Sequence, residues 1–228
     1  MRRVKIVVEG QTEESFVNGL LAEHLALRGV FVTPILLTTK RTQSKRGREQ
    51  MMPGRSYKGG ITSYAKIKMD VRNALADKNA MVTTMIDFYG LPDDFPGVAQ
   101  KPTGTPYEQV VYLEQSFAND IGSTRFWPFL VLHEYEALLF SQPEMIANAF
   151  PGQEVGSVLQ DARNRFTSPE EINQGRETHP AARIQACVRG YKKPFHGVTI
   201  AQRIGLAQIR HQCHHFEQWV AWLESLSS

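Results

Sequence analysis

The stretch "KIVVEGQTEESFVNGLLAEHL" (Lys5–Leu25) decides the fold. Val4 to Val8 is nearly continuous in apolar, β-branched character, as expected of a strand covered on both faces in a parallel sheet. The strand runs straight into Glu9-Gly10, and an acid-rich helix follows at once. Thr12 is the expected N-cap, with Glu13 and Glu14 in the first turn, where the helix dipole favours acids. Phe16, Leu20, Leu21 and Leu25 then form a helical stripe that ends near Gly29.

Outward from this unit the same alternation repeats. "VFVTPILLTT" (Val30 to Thr39) reads as a second strand, kinked or at an edge because of Pro34. Lys40 to Ser56 is polar, basic and punctuated by Gly and Pro, so it reads as a long loop. "GGITSYAKIKMDVRNALAD" is a helix, and "AMVTTMIDF" (Ala80 to Phe88) is a third strand that again ends on a carboxylate, Asp87. "PYEQVVYLEQSFANDIG" is a helix with proline first. "FWPFLVLHEYEALLF" is a fourth strand that passes into a helix. This order predicts an α/β fold: a mostly parallel sheet with flanking helices, plus a helical C-terminal extension. The expected division is a core over residues 1–140 and an extension over 141–228 that packs on the core and contributes to the site. Ser168-Pro169 should start a helix, and Val198 to Leu226 should form an amphipathic helix or pair of helices.

The chain has 228 residues, 42% of them hydrophobic and 21% charged, with a formal net charge of +3. These are ordinary globular values, and the mild positive charge permits a polyanionic partner without demanding one. No apolar run reaches the roughly 18–20 residues that span a bilayer, so no membrane association is expected. The two cysteines, Cys187 and Cys213, are too few for a disulfide framework and point to a reducing cytoplasm. Basic residues cluster in "KRTQSKRGR" (Lys40 to Arg48), five in nine positions, which suits either a solvated loop or a phosphate-contacting arm.

In open parallel sheets, ligands bind beyond the carboxyl ends of the strands. Glu9, Asp87 and the cluster His133-Glu134-Tyr135-Glu136 all fall at such ends. Any one of these acids serves equally well as a helix cap. Together they form an oxygen-ligand set for a hard cation, Mg²⁺ or Mn²⁺, with Glu9, Asp87, Glu134 and Glu136 as ligands. His133 and His196 are candidates for proton transfer, and Lys193 in "GYKKPFHG" for offsetting charge on a scissile phosphate. Lys58, Lys66, Tyr89 and Arg210 are candidates for phosphate or nucleic-acid contact. The glycines Gly59-Gly60 match neither a P-loop nor a G-x-G-x-x-G, so no nucleotide cofactor is expected. "RHQCHHFEQW" lacks the spacing of a structural zinc site.

A strand ending in Glu-Gly before a helix, with a later strand ending in aspartate, resembles the Toprim superfamily of metal-dependent domains. The stretches "VEGQTEE", "YKGGITSYAKIK", "IDFYGLP", "LHEYEALLF", "GYKKPFHG" and "IGLAQIRHQCHHFEQW" more closely resemble a small Toprim-like bacterial family of unknown function, often encoded beside AAA- or ABC-type ATPases in defence islands. The resemblance implies that Glu9 is a metal ligand or general acid/base and that Asp87 is the first aspartate of a D-x-D pair. Tyr89 stands where the second aspartate belongs, a departure that counts against a two-metal mechanism. Asp93 or Asp94 are candidate substitutes, as are Glu134 and Glu136. The implied activity is a Mg²⁺- or Mn²⁺-dependent nuclease acting on DNA or RNA, the effector of an ATPase-linked antiviral defence pair.

Two other readings remain open on the sequence. A Toprim scaffold lacking one ligand can serve as a non-catalytic module that grips nucleic acid or docks on an ATPase, and His133 with His196 would suit a metal-free ribonuclease. Phe216, Trp219 and Trp222 on the last helix would pack in the core or at a homodimer interface.

Overall fold

The computed structural model describes residues 1–38, 61, 63–172, 175 and 177–227. Lys58, Gly59-Gly60 and the basic stretch 40–48 lie outside the described residues. β1 (Arg2–Val8) is central because it is apolar on both faces. It pairs in parallel with β2 (Val30–Leu36) on one side and β3 (Ala80–Asp87) on the other. Two short strands, β4 (Phe126–Trp127) and β5 (Leu130–Val131), complete a five-stranded sheet in the order β2-β1-β3-β4, with β5 also on β3. Every pairing is parallel. β2 is an edge strand, as its proline requires. The expected single fourth strand is instead two strands, split at Pro128, which lacks the N–H that a continuous ladder needs.

Helices cover both faces. Val7, Val82 and Ile86 face the helices Tyr64–Leu75 and Pro106–Ile121, whose Ile67, Val71, Val110, Leu113 and Phe117 are buried against them. Val4, Ile6, Val8 and Met85 belong to a second core with Phe16, Ile200, Phe216, Trp219 and Val220. Thr83 and Thr84 are fully buried in β3, so their hydroxyls need partners. Thr84 Oγ1 donates to Phe129 O at 2.8 Å and accepts from Phe129 N at 2.9 Å, while Trp219 Nε1 donates to Thr83 Oγ1 at 3.0 Å. These bonds lock the strand that carries Asp87.

Three local expectations change. The first helix begins at Gln11 with Gly10 at its N-cap, not Thr12, and runs through a π-type stretch (Val17–Leu21) to Ala26. Ser168 and Pro169 do start a helical turn, though only a short 3₁₀ one, Pro169–Glu171. The C-terminal segment is three helices, Val198–Ile204, Leu206–Gln212 and His214–Ser225. Gly205, at φ +82°, and the extended Cys213 break them. Among the described residues no helix is long and apolar enough to cross a membrane.

Candidate active site at the strand ends

Parallel pairing of β1 with β3, with Val8 opposite Met85, brings their carboxyl ends to one edge. Glu9 N donates to Met85 O at 3.3 Å, and Asp87 N donates to Glu9 Oε2 at 3.2 Å, so the two acids are tied through backbone. One helical turn on, Glu13 folds back into the same place and is 3% exposed. A Cβ at Gly10 would lie 3.3 Å from Glu13 Oε2, so the glycine leaves room for this carboxylate.

The third contribution comes from the segment after β5. His133 has φ +66°, a left-handed conformation that costs a non-glycine residue roughly 1–2 kcal/mol. Such strain clusters at functional sites. The turn sends Tyr135 N to Asp87 Oδ1 at 3.0 Å and buries Glu136 completely. Glu134 faces the start of helix Pro180–Cys187, where its Oε1 accepts from Ala181 N at 2.5 Å and lies 2.8 Å from His179 Nδ1.

Lys193 enters from the last contributing segment. Its Nζ lies 3.1 Å from Glu136 Oε2, 3.3 Å from Asp87 Oδ2 and 3.4 Å from Glu13 Oε1. Tyr191 donates to Glu136 Oε1 at 3.4 Å. A Cβ at Gly197 would lie 3.1 Å from the Tyr135 ring and 3.4 Å from Tyr191 Oη, so any larger residue would have to push these rings aside by a few tenths of an ångström.

The cluster is therefore acid-rich and largely buried. Burial raises Glu9, with Glu13 adding to the effect. Burial also holds Asp87 well above the usual carboxylate range, with Lys193 opposing and Glu9, Glu13 and Glu136 reinforcing. Glu136 is pushed up to about 7, chiefly by burial, although Lys193 opposes it. Burial works against the Lys193 ammonium, yet Asp87, Glu136, Glu13 and Glu134 outweigh it and keep the charge firmly on.

A raised carboxylate contributes stability that is fully present below its unfolded value, near 4.5, and is lost as pH rises through about 7. Without added metal, the wild type should therefore lose thermal stability between these limits, and Glu136→Gln should flatten that loss. His133, which burial and Lys101 depress to about 4, acts in the opposite direction below its unfolded value, but it is common to both proteins and drops out of the comparison. Parallel melting curves for the two proteins across this range would refute the assignment.

The structure thus brings together Glu9, Asp87, Glu136 and Lys193 among the expected residues, with Glu134 and His133 alongside. Glu13 and His179 are additions that sequence reasoning misses. Tyr89 is half-exposed and stacks on His179, with centroids 5.8 Å apart at 23°. His196 packs on Phe150 and accepts from Lys192 N at 2.9 Å, outside the carboxylate cluster. Arg210 is bound to Glu217 and to Glu224, the latter at 2.7 Å. Lys66 lies on the helix Tyr64–Leu75, Asp94 accepts from Tyr64 N at 2.8 Å, and Asp93 is exposed. In the histidine-rich segment, Cys213 bonds Ser141 and His215 pairs with Glu114 at 3.0 Å. An apolar cavity of about 330 Å³, lined in part by Trp127, Phe129 and Trp219, includes none of the clustered acids.

Among the described residues no three acidic, His or Cys side chains are converged as a metal site, and Lys193 Nζ lies within ion-pair distance of Glu13, Asp87 and Glu136. The donors nevertheless fit a hard divalent cation. They are carboxylate oxygens, and two of them, Glu13 Oε1 and Glu136 Oε2, are buried without a hydrogen bond of acceptable geometry although each lies within ion-pair distance of Lys193. A family model described as a domain of unknown function (DUF4276) matches residues 8–224. No curated protein and no solved structure matches the chain.

Proposed function

The chain belongs to the DUF4276 family, and from the site at its strand ends we propose a divalent-metal-dependent phosphodiesterase that cuts nucleic acid. The observation that carries this reading is the meeting of Glu13, Asp87 and Glu136 around the Lys193 ammonium, with Glu9 tied to Asp87 through its backbone N–H. Structural acids seldom gather in this way, because each raises the cost of ionising the next.

In this reading Glu9, Glu13, Asp87 and Glu136 hold Mg²⁺ or Mn²⁺. Such a cation polarises a phosphoryl oxygen and offsets the charge that builds up during displacement. Lys193 offers a positive charge to a phosphate oxygen. His179, oriented through Nδ1 by Glu134, takes the proton-transfer role expected of His133 or His196. His133 is kept neutral at pH 7 and is 6% exposed, which suits the turn better than proton exchange. Tyr89, half-exposed beside His179, presents an aromatic face on which a base can stack. The resemblance to Toprim-like proteins extends the reading to an antiviral effector controlled by an AAA- or ABC-type ATPase, and that part rests on the resemblance alone.

The second reading is a non-catalytic module for nucleic acid or an ATPase. Tyr89 in place of the second aspartate favours it. Incubation of the purified protein with single- and double-stranded DNA and RNA, with Mg²⁺, with Mn²⁺ and with EDTA, separates the two. Cleavage that EDTA abolishes supports the enzyme. Retained binding with no cleavage under any metal would transfer the assignment to the module.

A further inference from the structure

Lys193 sits where a cation ligated by Asp87, Glu136 and Glu13 would sit, since its Nζ is 3.1–3.4 Å from one oxygen of each. Two of those oxygens, Glu13 Oε1 and Glu136 Oε2, belong to residues 3% and 0% exposed and accept no hydrogen bond of acceptable geometry. Both face the Lys193 ammonium, and Glu136 is also held through its other oxygen by Tyr191. A Mg²⁺ ion would draw the same oxygens to about 2.0–2.1 Å, which leaves no space for an ammonium among them. Two cations within one low-dielectric pocket would also repel strongly.

The segment that delivers Lys193 is held at its ends by the buried Tyr191 and Gly197 and is largely exposed between them. Gly197 is wedged against Tyr135, Tyr191 and Thr12, whereas Lys192 and Pro194 are exposed and Phe195 is 71% exposed. We propose that the Lys193 ammonium and a divalent cation are alternative occupants of one seat, with Glu13 among its ligands, and that cation binding expels Lys193 and the 192–196 segment toward solvent. The inference rests on the phosphodiesterase reading for the presence of a metal. In that setting it couples metal arrival to the placement of Lys193 at the mouth, where a substrate phosphate would meet it.

The test is calorimetric titration of Mn²⁺ into the full-length wild type, Lys193→Met and Glu13→Gln, with hydrogen exchange of the wild type measured with and without saturating Mn²⁺. Lys193→Met keeps the apolar stem and removes the competitor, so Mn²⁺ should bind at least about 10-fold more tightly than to wild type, while Glu13→Gln should bind at least about 10-fold more weakly. Amides of 192–196 should exchange faster when Mn²⁺ is bound, a readout that does not depend on either variant folding. Equal or weaker Mn²⁺ binding by a folded Lys193→Met would overturn the proposal, as would unchanged or slower exchange of 192–196 in the Mn²⁺-bound wild type. If no form binds Mn²⁺, the exchange model and the metal reading fall together. If the exchange is observed but no polynucleotide is cut, the phosphodiesterase reading fails while the shared seat stands.

Discussion

Asp87→Asn should abolish metal-dependent cleavage and leave the apoprotein as stable as wild type or more so. Asparagine keeps the shape of the side chain and an oxygen to accept the Tyr135 N–H, which lies 3.0 Å from Asp87 Oδ1. What it removes is one negative charge from a buried point shared with Glu9, Glu13 and Glu136, whose repulsion, after burial itself, holds Asp87 well above the usual carboxylate range. A group raised in this way destabilises the ionised folded state at neutral pH, so its neutral isostere relieves a cost. Lys193 loses one of three acidic partners but keeps Glu136 and Glu13, at 3.1 and 3.4 Å. Metal binding moves the other way. Mutating groups outside the ligand shell commonly weakens metal affinity about 10- to 100-fold, so losing a ligand should cost at least about 100-fold, with cleavage falling as far or further. The combination is the diagnostic, because a structural acid lost from a core lowers the melting temperature. Unfolding curves and Mn²⁺ titrations on the same preparation check it. A destabilised Asp87→Asn with undiminished Mn²⁺ affinity would make Asp87 a structural residue and remove the central ligand from the proposed site.

The legible part of this site is the part that follows from strand ends. Glu9 and Asp87 each close an apolar run, and two parallel strands with a helix between them must end on the same edge. Glu13 is hidden by a sufficient local explanation, since a glutamate in a first helical turn already satisfies the dipole. What redirects it is the N-cap at Gly10 rather than Thr12, a shift of two residues that periodicity does not resolve. His179 is hidden by distance: it meets Glu134 across 45 residues of short helices and loops with no periodic signature. Arg210 carries no mark of its commitment, because Glu217 and Glu224 lie on the next helix and face it only after the chain breaks at Cys213. The same limitation explains the strands. "FWPFLVL" has continuous β character, and only the ladder shows that pairing lapses at Pro128 and Phe129, between Thr83–Trp127 and Ile86–Leu130.

The largest effect on stability should come from a residue outside the site. Glu170 is 2% exposed at a 3₁₀ turn, and its carboxylate accepts from three donors: His215 N at 2.9 Å, Phe216 N at 2.9 Å and Tyr107 Oη at 3.1 Å. His215 and Phe216 occupy the first turn of the helix His214–Ser225, whose N–H groups have no partner within the helix. The helix's own N-cap, Cys213, offers no side-chain bond, so Glu170 caps it from a distant part of the chain and sets a negative charge against its positive end. Glu170→Ala would leave two buried backbone donors without their acceptor and take one partner from the half-buried Tyr107 hydroxyl. Each such group costs about 1–3 kcal/mol, which places the loss at roughly 3–5 kcal/mol. At about 2–4 °C per kcal/mol for a chain of this length, the melting temperature should fall by roughly 10 °C. Glu170→Gln keeps one acceptor oxygen and should lie between the two. The helix also carries Trp219, which packs face to face on Phe129 with centroids 4.3 Å apart and bonds Thr83 on β3. Loosening it should therefore be felt at the strand that ends in Asp87. Thermal unfolding of the three proteins decides the matter. A shift under about 2 °C in Glu170→Ala would mean that the helix holds its place through apolar packing alone, and that this buried carboxylate contributes little to the scaffold under the carboxylate cluster.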